Sequence, residues 1–423
     1  MTYTNNKYNS QKYLIFRKKE ISNISLILKG QGVFIFGTSN PNSISSIRIY
    51  NEDDTKGLKI KIIEGAVIVK ELPNKNVLED KNNTEGICNK EGAYYWISID
   101  SHNQLLQVGV GEARIETAIY TYQFPPPYKI FLENLTKIFI NEENPDIQPM
   151  RLLRDPITNS VPLIIKDTDK LTMHQIAKSS YLPKANLSLV AQKLHDCISG
   201  KRFILDDKDF PDFSKAIERS IATPGLWCYK RLQEKASEFG KPNIKETYLR
   251  ITLGLNNGES PGIPYVMEIW PIGHYSPVHN HGGASAIIRV LNGNINIKLF
   301  PFLSKDVKEF NEAVFKKGDI TWISPTLNQV HQLHNLDMNT KTCITIQCYM
   351  YENDDITHYD YFDYIDDEKG NIEQYEPDSD MDFISFKHLM KEEWKTRPSF
   401  YTRMLQKMKP QNVPKLNPPF TQS

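Results

Sequence analysis

Short apolar runs recur between Ile24 and about Ile140, among them GVFIFG, SIRIY, KIKII, AVIVK, YYWISI and TAIYTYQF, and clusters of Asn, Gly and Asp separate them. Runs of strand length punctuated by turn residues predict an all-β sandwich, and helical periodicity is absent from this stretch. Ahead of it, residues 1 to about 22 are polar and lack the apolar content that offsets the entropy of ordering, so they are expected to be mobile. Behind it, NEENPDIQPMRLLRDPITNSVP carries four prolines and no sustained period, which predicts an extended connection with the boundary between units near residue 170.

From Lys170 to Lys241 the period becomes helical. ANLSLVAQKLHDCISG places Leu189, Ala191, Leu194 and Cys197 near one stripe, Gly200 stands where a C-cap belongs, and DFSKAIERSIATPGLWCYKRLQEKA follows the same pattern. After Glu246 strand runs return as YLRITLGL, YVMEIW, AIIRVL, INIKLF, ITWIS and CITIQCYMY, split by Gly, Asn and Pro turns at the spacing of a β-barrel. Phe383 to Pro410 reads as a charged helix, and the last residues are Pro-rich and loose. The expectation is a mainly β chain: a sandwich binding module over 24–165, a barrel with preceding helices over 186–370, and a helical tail over 371–423.

The chain's 423 residues favour two compact units over one. With 51 basic against 51 acidic side chains and no basic block, nucleic acid is an unsuited partner. Five cysteines form no CxxC pair, which points to a reducing compartment rather than a disulfide framework. The first residues build no apolar h-region and no apolar run reaches bilayer length, so neither secretion nor a membrane partner is expected and the location reads as cytoplasmic.

Chemistry concentrates in two segments of the barrel. In GHYSPVHNH, which starts at Gly273, His279 and His281 stand two residues apart in what reads as a strand, so they share a face. GDITWISPTLNQVHQLHN then supplies a third imidazole after a Gly and a Pro that mark a turn. If that segment is extended, His331 and His334 point to opposite faces, and His331 is the candidate that enters the barrel. His274 has the opposite strand parity to His279 and is given a structural or solvent role. Three neutral imidazoles suit a divalent transition metal.

These residues carry a resemblance. G-x5-H-x-H, then Gly293 in LNGNINIK, then the Gly, Pro and His of the second segment are similar to the two cupin motifs, which implies a cupin β-barrel. Many cupins place a Glu four or five residues after the second histidine, whereas Ser285 and Ala286 stand here. In that departure the chain resembles the cysteine dioxygenase family over about residues 186 to 370. Tyr248-Leu249-Arg250 is similar to the family's Tyr-x-Arg, Trp270 to its Trp before the HxH loop, and His331 to Asn335 to its H-x3-N element.

The resemblance implies Fe(II) on His279, His281 and His331, and addition of both atoms of O₂ to the sulfur of free L-cysteine to give the sulfinate. Three neutral ligands leave such an ion its full charge and open positions, and coordination lowers a thiol's pKa without a dedicated base. Arg250 is implied as the anchor of the substrate carboxylate, since guanidinium offers a planar, permanently charged fork, with Tyr248 adding a hydroxyl. Tyr349 resembles the catalytic tyrosine whose hydroxyl donates a hydrogen bond or proton toward bound oxygen. Family members place Ser and His two positions apart just before that tyrosine, where this chain has Thr345 and Gln347, and an amide cannot relay a proton near neutral pH. The family's thioether-forming cysteine falls at Ala286, so no Cys-Tyr crosslink is expected, and Cys343 and Cys348 read as packed thiols.

Alternatives stay open in the sequence. Three histidines also suit zinc, other small thiols remain candidate substrates, and a catalytically silent metal- or ligand-binding cupin is a reading from a different class. In the first unit, YYWISIDSHN from Tyr94 and VGVGEARIETAIYTYQF resemble the β-sandwich modules named after farnesoic acid O-methyltransferase, without any methyl-donor motif. That resemblance is compatible with an unidentified ligand or partner on one face, or with a sandwich core and ordinary turns. Trp96 is expected in the core, while Asp100 and His102 are candidates for lining a small-molecule site.

Overall fold

The computed structural model describes residues 13–16, 23–38, 45–74, 76–81, 86, 88–140, 147–253, 265–351 and 361–397. Alternating apolar residues build the first unit. Along Gly57–Ile63, Leu58, Ile60 and Ile62 are buried, and they meet Phe34, Phe36, Ile97 and Val108 from the opposing sheet. One six-stranded sheet runs in the order Tyr13–Phe16, Ile147–Leu153, Gln31–Thr38, Tyr94–Asp100, Leu105–Val110, Ala118–Gln123. The other runs Asn23–Ser25, Leu135–Ile140, Ser45–Asn51, Gly57–Ile63, Ala66–Leu72, Val77–Lys81.

Two expectations change here. The run YLIF within the polar N-terminal residues forms a strand, Tyr13–Phe16, paired along Ile147–Leu153; residues 1–12 and 17–22 lie outside the described residues. The proline-bearing run Ile147–Leu153 is itself a strand, and Pro149 falls where its register against Gln31–Thr38 shifts between Ile147 and Met150. A bulge spares the ladder bond that proline cannot make.

The strand Tyr94–Asp100 is buried on both faces. Trp96 lies under Leu153 and Ile157, fully buried as expected, with its Nε1 donating to Thr117 Oγ1 at 3.2 Å. Its cross-strand partner is Gly109, and the indole fills the space a side chain there needs.

The second unit is a barrel of two sheets. One has the order Ile320–Ile323, Ser285–Asn292, Cys343–Met350, Tyr265–Trp270, Leu249–Leu253, Met381–Asp382; the other contains Asn311–Lys316, Asn294–Leu299 and His331–His334. Single bridges Tyr275↔His334, His279↔His331 and His279↔Tyr364 extend the second sheet through residues 275–279 to the hairpin of Phe362–Ile365 and Ile372–Tyr375. The outer face of the first sheet, including Ile287, Ile344, Ile346 and Cys348, is covered by helices Leu189–Ile198, Phe213–Ala222 and Trp227–Glu234.

Ser188 caps the first of these helices by accepting from Ala191 N. Its buried stripe is Ala191, Leu194, His195 and Ile198, so the periodicity placed Leu189 wrongly: it is 76% exposed in the first turn. Gly200 follows the cap residue Ser199 without a left-handed φ. Helix Phe383–Lys395 starts at Asp382, whose side chain accepts from Ser385 N, and it buries Phe386 against Phe213 and Trp227 on the outside of the barrel. The rest of the expected tail helix, residues 398–410, lies outside the described residues. Ile165, Leu182 and Leu187 of the connection join the core that the barrel shares with these helices.

A Cβ at Gly109 meets indole carbons of Trp96 at 2.2 Å, and Trp96 has no exposed side to move toward. Gly109→Ala should therefore cost about 1–3 kcal/mol of stability, the usual range for overpacking a closed core. Chemical denaturation checks this, and an unchanged midpoint would show that the Trp96 layer is loosely packed.

Candidate metal centre

His279 and His331 are directly opposed residues on neighbouring extended segments. His279 N donates to His331 O at 3.1 Å and His331 N donates to His279 O at 3.0 Å. Residues that exchange both bonds project their side chains to one face, so this pair aims two imidazoles into the same space. His281 joins them by strand parity although it has left the bridge, while Asn280 between them turns away and donates to Asp363 Oδ2 at 3.1 Å. The expected strand through both histidines is thus an extended loop pinned at single bridges.

All three imidazoles are buried, and their ligating atoms lie within 4.8 Å of one another. His279 Nδ1 donates to Pro277 O and His331 Nδ1 to Asn328 O, each at 3.0 Å, which makes Nε2 the unprotonated nitrogen of both rings. His281 Nε2 stands 3.2 Å from His331 Nε2, and its Nδ1 has no hydrogen-bond partner among the described residues. Nitrogens about 2.1 Å from a shared ion are about 2.9–3.4 Å apart at right-angled to tetrahedral geometry. The His281–His331 separation meets this test, and three buried neutral nitrogens within 4.8 Å of one another are a donor set that fits a divalent transition metal. Burial pushes the His279 imidazolium down to about 3, helped by His331, and His331 down to about 4. Burial and the two neighbouring imidazoles hold His281 well below the usual range. All three are neutral near pH 7, which is the ligating form.

The same cavity is lined by Tyr248, Arg250, Glu268, Trp270, Gln347 and Tyr349. Arg250 and Glu268 are cross-strand partners, and Nη1 lies 3.7 Å from Oε1. Gln347 Nε2 donates to Glu268 Oε2, and Tyr349 Oη donates to Gln347 Oε1. Tyr248 stacks on Trp270 with ring centroids 4.1 Å apart. Burial raises the Glu268 carboxyl while Arg250 opposes the rise, and burial raises the Tyr248 phenol.

The structure brings His279, His281, His331, Tyr248, Arg250, Trp270, Gln347 and Tyr349 into one cavity, whereas Asn335, whose Nδ2 donates to Trp270 O at 2.8 Å, and Thr345 are not among its lining. His274 is outside it, hydrogen-bonded through Nδ1 to Thr247 O at 2.9 Å, and His334 is half-buried beside Tyr275. Ala286 and Tyr349 are directly opposed. Asp100 accepts from the backbone and side chain of Asn103 in a local turn, and His102 is exposed beside it. Glu268 went unnoticed in the sequence. Its signal was a carboxylate inside the otherwise apolar YVMEIW, at the inward parity of Trp270, since a buried charge demands a partner.

No family model matches the chain. Solved structures similar to parts of it include the cupin domain of Schizosaccharomyces pombe Cnp3, at 12% identity over 25% of this chain and 65% of that one, TM-score 0.20. The DMSP lyase DddQ of Ruegeria pomeroyi aligns at 16% identity over 25% of this chain and 48% of that one, TM-score 0.19. An uncharacterized double-stranded β-helix protein of Klebsiella pneumoniae aligns at 17% identity over 31% of this chain and 88% of that one, TM-score 0.21. The alignments to the first two span less than two thirds of those chains. Scores of this size carry no functional argument, and the fold rests on the strand pairings themselves. Those pairings describe a closed β-barrel of two sheets with the three histidines inside it. Among the described residues, no helix is long and apolar enough to cross a membrane.

The lowered imidazole pKa values set a pH dependence. In the unfolded chain these groups protonate near pH 6.5; folded, His279 and His331 do so only near 3 and 4. Between those limits the unfolded state binds more protons, so stability of the metal-free protein falls as pH drops below about 6.5. Urea midpoints of the metal-free protein should decline from pH 7 to 4.5, and replacing all three histidines with Gln should flatten that decline. An equal slope in the variant would place the effect elsewhere.

Proposed function

We propose that this chain is an iron-dependent thiol dioxygenase that converts free L-cysteine to cysteine sulfinate in the cytoplasm. The observation that carries the reading is a buried ligand set of three neutral histidines without a carboxylate, in a cavity that also holds a guanidinium. Glu268 lines that cavity, but its oxygens face Arg250 and Gln347 instead of joining the imidazoles. Iron(II), when bound, supplies dioxygen activation and the acidification of a coordinated thiol. The reaction balances without another reductant: thiol plus O₂ gives sulfinic acid, with both oxygens on sulfur.

The chain's own residues supply recognition and orientation. Arg250 pairs with the substrate carboxylate, and its placement on an inner strand beside the stacked Tyr248 and Trp270 restricts where the fork can point. Glu268 at 3.7 Å partly neutralises Arg250, so the cavity carries one charge of each sign and suits a zwitterionic amino acid better than a plain carboxylate.

A second reading is a catalytically silent metal-binding cupin, and one observation favours it. Glu268 accepts from Gln347 Nε2, which turns Gln347 Oε1 toward Tyr349 and commits the Tyr349 hydroxyl proton to that oxygen. That proton is then directed away from any group bound in the cavity.

Oxygen uptake by iron-loaded protein with cysteine, 3-mercaptopropionate and cysteamine separates these readings. Cysteine should be consumed fastest, with a sulfinate product detected by mass spectrometry. Arg250→Ala should raise KM for cysteine by about 10- to 100-fold, the worth of a lost charged hydrogen bond, and leave cysteamine turnover nearly unchanged. Equal cysteine kinetics in the two proteins would remove the anchor role. Tightly bound iron without sulfinate from any thiol would establish the silent reading.

A further inference from the structure

The barrel's ligand loops are held from outside the barrel. After strand Leu105–Val110 of the sandwich, the chain turns at Gly111, whose φ is +84°, and inserts Glu112 and Arg114 against the barrel. Both are almost completely buried, at 1% and 2% exposure. Glu112 N donates to Pro301 O at 2.8 Å, which fixes the tip of the insertion to the barrel backbone. Glu112 Oε1 accepts from Gln329 N at 2.8 Å, and Arg114 Nη1 donates to Asn328 Oδ1 at 2.7 Å. Arg114 Nη2 donates to Val161 O at 3.3 Å, and the guanidinium lies over the Phe310 ring.

Asn328 orients one ligand, His331, and Gln329 ties its loop to the loop after His281. Asn328 O accepts the Nδ1 proton of His331 and so sets that imidazole's tautomer and rotation. Asn328 holds a left-handed φ of +61°, a region that asparagine tolerates better than most side chains, and its amide is fixed by accepting from Arg114 and by donating to Trp322 O at 2.9 Å. Gln329 joins the two ligand loops: its Nε2 donates to Ala284 O at 2.9 Å and its Oε1 accepts from Gly283 N at 3.1 Å, two to three residues beyond His281. We propose that Glu112 and Arg114 are positioning residues for the metal centre, so that the sandwich completes the barrel's site by fixing the loop that orients His331 and ties it to the His281 loop.

This rests on the reading that the three histidines hold a metal. Burial pushes the Glu112 carboxyl up to about 7, against the pull of Arg114 and of the N–H groups of Asn328, Gln329 and Val330. The ordinary alternative is an ion pair that only fastens two units together. The two differ in what they do to a folded protein's metal site. Cobalt(II) reports on it directly, because its visible absorption follows ligand geometry and its affinity can be titrated without any turnover.

The test titrates the full chain with cobalt(II) for wild type, Arg114→Met, Arg114→Lys, Glu112→Leu, Glu112→Gln and Lys90→Ala. Lys90 Nζ reaches only Lys305 O and Asp306 O across the same junction, at a distance in sequence from the ligand loops, and serves as the fastening control. Arg114→Met should weaken cobalt(II) binding tenfold or more and alter its visible spectrum, with native circular dichroism. Glu112→Leu, which leaves Gln329 N without its acceptor, should also weaken binding severalfold, Glu112→Gln, which keeps the acceptor, should recover it to within about threefold of wild type, and Lys90→Ala should match wild type. If Arg114→Met does not fold, Arg114→Lys carries the test: its charge is kept and its fork is lost, so affinity should still drop severalfold. Folded Arg114 variants with wild-type affinity and spectrum would overturn the proposal alone. Wild type that binds no cobalt(II) would overturn the metal centre and the proposal with it.

Discussion

The exchange of two backbone hydrogen bonds between His279 and His331 is the constraint on which the centre depends. A hydrogen-bonded antiparallel pair fixes the separation and direction of its two side chains with no help from the side chains themselves. Each of these imidazoles then needs only its Nδ1 anchored, and a backbone carbonyl two or three residues earlier does that in both cases. His281 is placed by parity from the same bridge. The site is therefore specified by main-chain geometry, and the surrounding side chains decide its polarity and access.

That division explains which parts of the molecule were legible. Period-2 runs and their turn residues defined both β units, because alternation records which face of a strand is buried. The three histidines were legible for the same reason, since HxH parity and the Gly and Pro before His331 are local signals. Tyr13–Phe16 and Ile147–Leu153 were obscured because their flanks are polar or proline-bearing, and only the tertiary ladder that pairs them overrides that composition. Leu189 shows the opposite error. A 3.6-residue stripe assigned it to the core, whereas it is the first residue after the cap Ser188 and faces away from the stripe that Ala191, Leu194 and Ile198 bury.

Glu112 and Arg114 left no local trace at all. In sequence GEAR is a charged turn like many others, and burial of both residues arises from the docking of one unit on the other, which joins positions more than 200 apart. Contacts of this kind have no period and no spacing rule. They become visible only through the demand that a buried carboxylate and guanidinium each find partners, a demand that is three-dimensional from the start.

Inside the cavity, the same demand links charge to orientation. Arg250 alone on an apolar wall carries a large desolvation cost; Glu268 opposite it offsets that cost and at the same time acquires a need for a donor, which Gln347 supplies. An amide that donates at one end must accept at the other, so the charge of Glu268 acts on the Tyr349 hydroxyl through Gln347. A histidine at position 347 could also donate to Glu268, but it could then exchange its own proton with the tyrosine, which the amide cannot do. The identity of residue 347 thus converts a route for protons into a fixed hydrogen-bond direction, and the carboxylate two residues before Trp270 is what makes that direction single-valued.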